Sequence, residues 1–231
     1  MDIVDLAKEI EASLVLAIAF EPPELLAERV FGLDDVALRW VVALTLARIQ
    51  VTRAIEISLL LTTDDELHEL NRNFRGRDES TDVLSFPLLD EPIVNAPEDQ
   101  LWQPAEDDRQ QDEDMGDAPQ LLNLLADDPE DDAAPAYEGY DDAGDDAGDV
   151  ASGSPFLLGE EFPLHLGDIA ISLDAVSRQA RQAGHSPGWE LAYLLSHGVL
   201  HLAGYDDHSE AGYQAMVSHQ EAVLRSAGIE R

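Results

Sequence analysis

The chain has 231 residues, 45% of them hydrophobic, which is enough for one domain with its own core. It contains no cysteine, so a disulfide framework and a thiolate zinc site are excluded and any metal must be held by His, Asp or Glu. A formal charge of -36 argues against a polyanionic partner, but residues 90–161 carry 24 acidic side chains and one basic, Arg109, so -23 of that charge is regional and -13 falls on the other 159 residues.

In chain order, the first apolar stretch is "SLVLAIAF" at 13–20, which follows "DLAKEIE". It lacks the basic leader of a signal peptide and falls well short of the roughly 20 apolar residues of a membrane span, so a soluble cytoplasmic protein is expected and the stretch reads as a strand. "DDVALRWVVALTLARIQ" at 34–50 opens on a capping Asp and continues at helical spacing. "AIEISLLLTT" at 54–63 reads as a strand, and "DDELHELNRNF" at 64–74 as a helix with acidic residues at its positive end. "TDVLSFPL" from Thr81 and "HLGDIAISLD" from His165 read as two further strands.

Between these two strands lies an acidic insertion at about 91–160, with runs such as "EDDRQQDEDMGDAP" and "DDAGDDAGDVASGSP". It has no sustained period and too much charge to bury a core, so disorder is expected. Within it "PQLLNLLADD", 119–128, is spaced for a short helix, either transient or a segment for a protein partner. Three helices close the chain, "LDAVSRQARQAG", "SPGWELAYLLSHGVLHLAG" and "SEAGYQAMVSHQEAVLRSAG", each with a cap residue at its start and Gly at its end. The expected fold is α+β: a small mixed four-stranded sheet packed with about five helices, one domain over 1–231 interrupted by the insertion.

"HGVLHLAGYDDH", 197–208, holds three of the seven histidines. His197 and His201 are four apart, which on a helix stacks their imidazoles on one face. Gly204 is a helix stop that turns the chain back, so that His208 can join the same metal and leave one tetrahedral position open, the arrangement of catalytic zinc. Asp206 and Asp207 read either as acceptors that orient an imidazole or as a solvated turn. In zinc proteases with a helical histidine pair the residue after the first His is a glutamate base; here it is Gly198, so a different reaction class is expected.

"LNRNFRGRDESTDVLSFP", 70–87, brings Arg72, Arg75 and Arg77 to a helix end before a strand. Arginine's planar fork suits phosphate oxygens, although arginines at a helix C-terminus also answer its dipole.

Three ordered blocks, "NRNFRGRDESTDVLSFP", "LGDIAIS" and "HGVLHLAGYDDH", resemble the signature blocks of the YbeY family of bacterial endoribonucleases. The resemblance implies a metal-hydrolase-like domain with one zinc per chain on His197, His201 and His208, and a catalytic arginine at Arg75. It also implies single-strand-specific RNA cleavage, processing of the 16S rRNA 3′ end and ribosome quality control, with ribosomal RNA and the small subunit as partners and neither DNA nor membrane. His197 would then serve the chemistry through the metal, and Arg72, Arg75 and Arg77 would contact RNA. Two rivals are a hydrolase of another bond, which Gly198 disfavours, and a ribosome-assembly factor with structural zinc. Two features depart from the family pattern. "GYDDH" sets His208 seven positions after His201, where the usual "GYDH" gives six, and the acidic insertion is extra.

Overall fold

A computed structural model describes residues 2–23, 30–103 and 162–231. The disorder expected over 104–161 and the helix read at 119–128 lie outside the described residues. The elements run α1 (Ile3–Glu11), β1 (Val15–Phe20), α2 (Asp35–Arg48), β2 (Ile55–Thr62), α3 (Asp64–Arg75), β3 (Val83–Pro87), β4 (Leu164–Ser172), α4 (Leu173–Ala183), α5 (Pro187–Ala203) and α6 (Glu210–Ala227). Every element expected from the sequence within the described residues is present, and α1 makes a sixth helix. It buries Ala7 and Ile10 against the core while its Lys8 and Asp5 pair in solvent.

Local chemistry fixes the helix starts. The side chains of Asp34, Thr63, Ser172, Ser186 and Ser209 accept backbone N–H bonds at the first turns of α2 to α6 in turn. Each such cap contributes about 1 kcal/mol. Pro187 occupies the first turn of α5, where its missing N–H costs nothing.

The sheet order is β1-β2-β4-β3, with β1, β2 and β4 parallel and β3 antiparallel at the edge. Central β2 is covered on both faces, which is why "SLLL" reads as a continuous apolar run rather than an alternation. One face packs on α1, α2, α5 and α6 around Leu44, Ile57, Ile169, Val199 and Val223. The other packs on α3 through Leu60, Leu67, Leu84 and Ala170. No described helix is long and apolar enough to cross a membrane.

Residues 91–103 correct the expected reach of the disorder, because 92–103 form an ordered strap across the C-terminal end of α5. Ile93 N–H bonds Ala203 O at 3.1 Å, Trp102 N–H bonds Gly204 O at 3.0 Å, and Asp206 N–H returns to Gln100 O at 3.0 Å. Leu101 bridges Tyr205, and Ser209 Oγ donates to Asp99 O. Ile93 and Val94 pack against the core, so local apolar content outweighs the acidic surroundings. Gly204 has φ +123, and a Cβ there would collide with Pro92; glycine is required both by the backbone and by the strap.

Candidate metal centre

Helix α5 is buried along most of its length, and it presents His197 and His201 one turn apart where it meets the strap. Their Nε2 atoms are 2.9 Å apart, with the ring planes at 86°. The carbonyl of Tyr205 lies 2.9 Å from His201 Nδ1 and can only accept, so that nitrogen carries the proton and His201 Nε2 keeps a lone pair facing His197. Gln220, 1% exposed on α6, hydrogen-bonds the His197 side chain and gives its N–H to Tyr193 O at 3.2 Å.

Burial is the largest cause holding the His197 pKa down, to about 4, followed by the proximity of His201; Asp207, Asp82 and Gln220 pull the other way. Burial also lowers His201 against the pull of Asp207, Tyr205 O and Asp206, with the Arg75 charge adding to the lowering. Both imidazoles are therefore neutral near pH 7, the form that binds a metal.

The sequence reading joined His208 to this pair as the third ligand. His208 is not brought to the pair: its side chain is 85% exposed, and Asp206 Oδ1 accepts from both its Nδ1, at 2.5 Å, and its backbone N–H, at 3.3 Å. Asp207 lies nearer. Its Oδ2 lies 3.9 Å from His197 Nε2, and one ligand atom from each of His197, His201 and Asp207 falls within 4.8 Å of the others. Asp207 stands six positions after His201 and His208 seven. A second group, Asp206, Asp207 and His208, lies on the solvent side of the same turn. Two neutral imidazoles and a carboxylate suit zinc, and three protein ligands leave its fourth position open.

Gly198 explains the missing glutamate. A Cβ there would lie 2.9 Å from Ile169 Cγ2, so position 198 points into the β4 interface rather than toward the metal pair. Any side chain would overpack this contact at a cost of about 1–3 kcal/mol, and a carboxylate would also be buried unpaired.

Arg75 ends α3, which stops at Gly76 with φ +64. Its Nη2 donates to Ser85 O at 2.7 Å, and its guanidinium lies 5.8 Å from the centroid of the Phe86 ring. It is thus held against β3 and close enough to act electrostatically on His201. Arg72 and Arg77 stay at the surface, in loose pairs with Glu69 at 3.9 Å and Glu79 at 4.0 Å.

Three contributors escaped the sequence reading. Asp82 lines the cleft beside His197 and accepts from Gln179 Nε2 at 2.7 Å. Gln220 is a polar residue in the buried stripe Gly212, Met216, Gln220, Val223 of α6, a break in pattern that could have marked it. Trp102, whose Nε1 donates to His201 O at 3.2 Å, stands with Leu101 as an apolar pair inside an acidic run.

A family profile described as Endoribonuclease YbeY matches residues 35–228. Among curated proteins, an Endoribonuclease YbeY of Chloroflexus aurantiacus is 34% identical over 191 residues, covering 82% of this chain and 84% of its own. One from Chloroflexus aggregans is 33% identical over 79% of this chain and 80% of its own. One from Limosilactobacillus fermentum is 32% identical over 80% and 81%.

Proposed function

Since the chain belongs to the YbeY endoribonuclease family, we propose that it is a zinc-dependent endoribonuclease acting on single-stranded RNA, with ribosomal RNA of the small subunit as its substrate and the ribosome as its place of work. The observation that carries this reading is the convergence of His197, His201 and Asp207 near Arg75, whose guanidinium is anchored on Ser85 O. One zinc per chain is held by these three side chains, and when bound it supplies a Lewis acid for a phosphodiester oxygen and lowers the pKa of water.

The protein's own groups do the rest. Tyr205 O and Gln220 hold the two imidazoles in place, and the strap fixes the turn that carries Asp207. Arg75, with one donor committed to Ser85 O, presents its remaining N–H groups to the phosphoryl oxygens as negative charge develops on them. Arg72 and Arg77, loosely paired with exposed glutamates, attract the RNA backbone. The test is cleavage of single-stranded RNA by wild type and by His197→Ala at equal concentration. Cleavage by wild type, abolished in the variant and by chelation, is expected; undiminished cleavage in His197→Ala would overturn the reading.

A further inference from the structure

A cleft of about 360 Å³ opens beside His197 between α4, α5, α6 and the start of β3. Two aromatic rings stand in its walls: Tyr193 on α5, and Tyr213 on α6, half exposed. Tyr193 is held by Trp189, stacked at 4.9 Å and 14°. Met216 adds a polarisable thioether. The remaining polar wall is acidic or amide: Asp82, Glu190 and Gln179, with Asp207 at the metal end. Among the described residues no lysine or arginine lines it.

This combination rejects a phosphate, because carboxylates repel it and no cation answers it. It accepts a flat, neutral group with N–H donors on its rim. Asp82 binds Gln179 Nε2, and Glu190 binds His185, yet each carboxylate has acceptor sites left over. The cationic side of the centre lies across β3, where Arg75 sits over Phe86.

Building on the RNA-cleaving reading above, we propose that this cleft is a nucleobase subsite: one unstacked base of the RNA inserts between Tyr193 and Tyr213, its amino edge toward Asp82 and Glu190, while the adjoining phosphate lies at His197, His201 and Arg75. A base must leave its helix to enter, which gives single-strand preference a structural cause. Stacking on an aromatic ring tolerates any base, and the carboxylates favour those with an exocyclic amino group over uracil.

The experiment uses zinc-loaded full-length protein and 2′-O-methyl hexanucleotides of cytosine, checked to be intact after titration, in which each position in turn is made abasic. At one position the abasic strand binds wild type about 5- to 150-fold more weakly, the range set by one base–aromatic stack. Tyr213→Ala, at an exposed position, loses most of that penalty, and Tyr213→Phe keeps it. No sensitive position in wild type, or an undiminished penalty in Tyr213→Ala, would overturn the subsite. Uracil binding as well as cytosine at the sensitive position would overturn the role of Asp82 and Glu190. Cleavage of matching unmodified RNA is scored separately: strands that bind with an abasic penalty yet are never cut would refute the endoribonuclease reading and leave the base subsite standing.

Discussion

The two halves of the candidate metal centre are built on different principles. His197 and His201 sit one turn apart on a buried helix, so the fold that packs α5 also aligns their Nε2 atoms. Asp207 sits on a turn that, besides local bonds, is tied to Gln100, Leu101 and Trp102, more than a hundred residues earlier. A side-chain pair aligned by helical spacing is less sensitive to distant changes, whereas a carboxylate on a strapped turn depends on whatever holds the strap. That contrast can be probed from each side.

The largest effect belongs to the helix. Changing His197 or His201 to Ala is expected to lower zinc affinity by more than the roughly 10- to 100-fold typical of lost supporting contacts. It also removes the rise in Tm that zinc gives wild type, since a ligand of the folded state stabilises it by mass action. Metal analysis after gel filtration and a melt with and without zinc check both.

Arg75 touches neither half directly and should separate chemistry from metal binding. Arg75→Lys keeps the charge but not the fork, so cleavage falls roughly 10²-fold at saturating RNA while zinc content stays unchanged. Retained activity would reduce Arg75 to general charge attraction.

The strap gives a smaller effect, at the end of α5 and the turn that follows it. Trp102→Phe removes the Nε1 bond to His201 O but keeps the main-chain bond to Gly204 O. The loss is about 0.5–1.5 kcal/mol, or a two- to tenfold weaker zinc complex. Trp102→Ala removes the packing as well and should weaken zinc further. Zinc affinity untouched by both would mean that the strap covers the turn without positioning it.

The same contrast governs what the sequence disclosed. Strands, caps and the α5 pair follow from periodicity and from Ser, Thr and Asp at helix starts, all of which are local. The order β1-β2-β4-β3 and the sixth helix, seated by Ala7 and Ile10, needed packing to appear. At the site, the turn after Gly204 and the family resemblance pointed to His208, and only the fold reveals that Asp206 holds that imidazole toward solvent while Asp207 lies nearer the pair. The strap was hidden by averaging, because Ile93, Val94, Leu101 and Trp102 are diluted by the acidic residues around them. Gly198 had the opposite fate: its unusual place was plain in the sequence, and its reason, contact with Ile169, was not.

The most direct measurement is a competition titration of zinc affinity for Asp207→Ala and His208→Ala beside wild type. Asp207 as the third ligand predicts that Asp207→Ala binds zinc at least about tenfold more weakly while His208→Ala stays within a factor of two. Strong loss in His208→Ala with Asp207→Ala near wild type would contradict the account and put the imidazole of His208 on the metal.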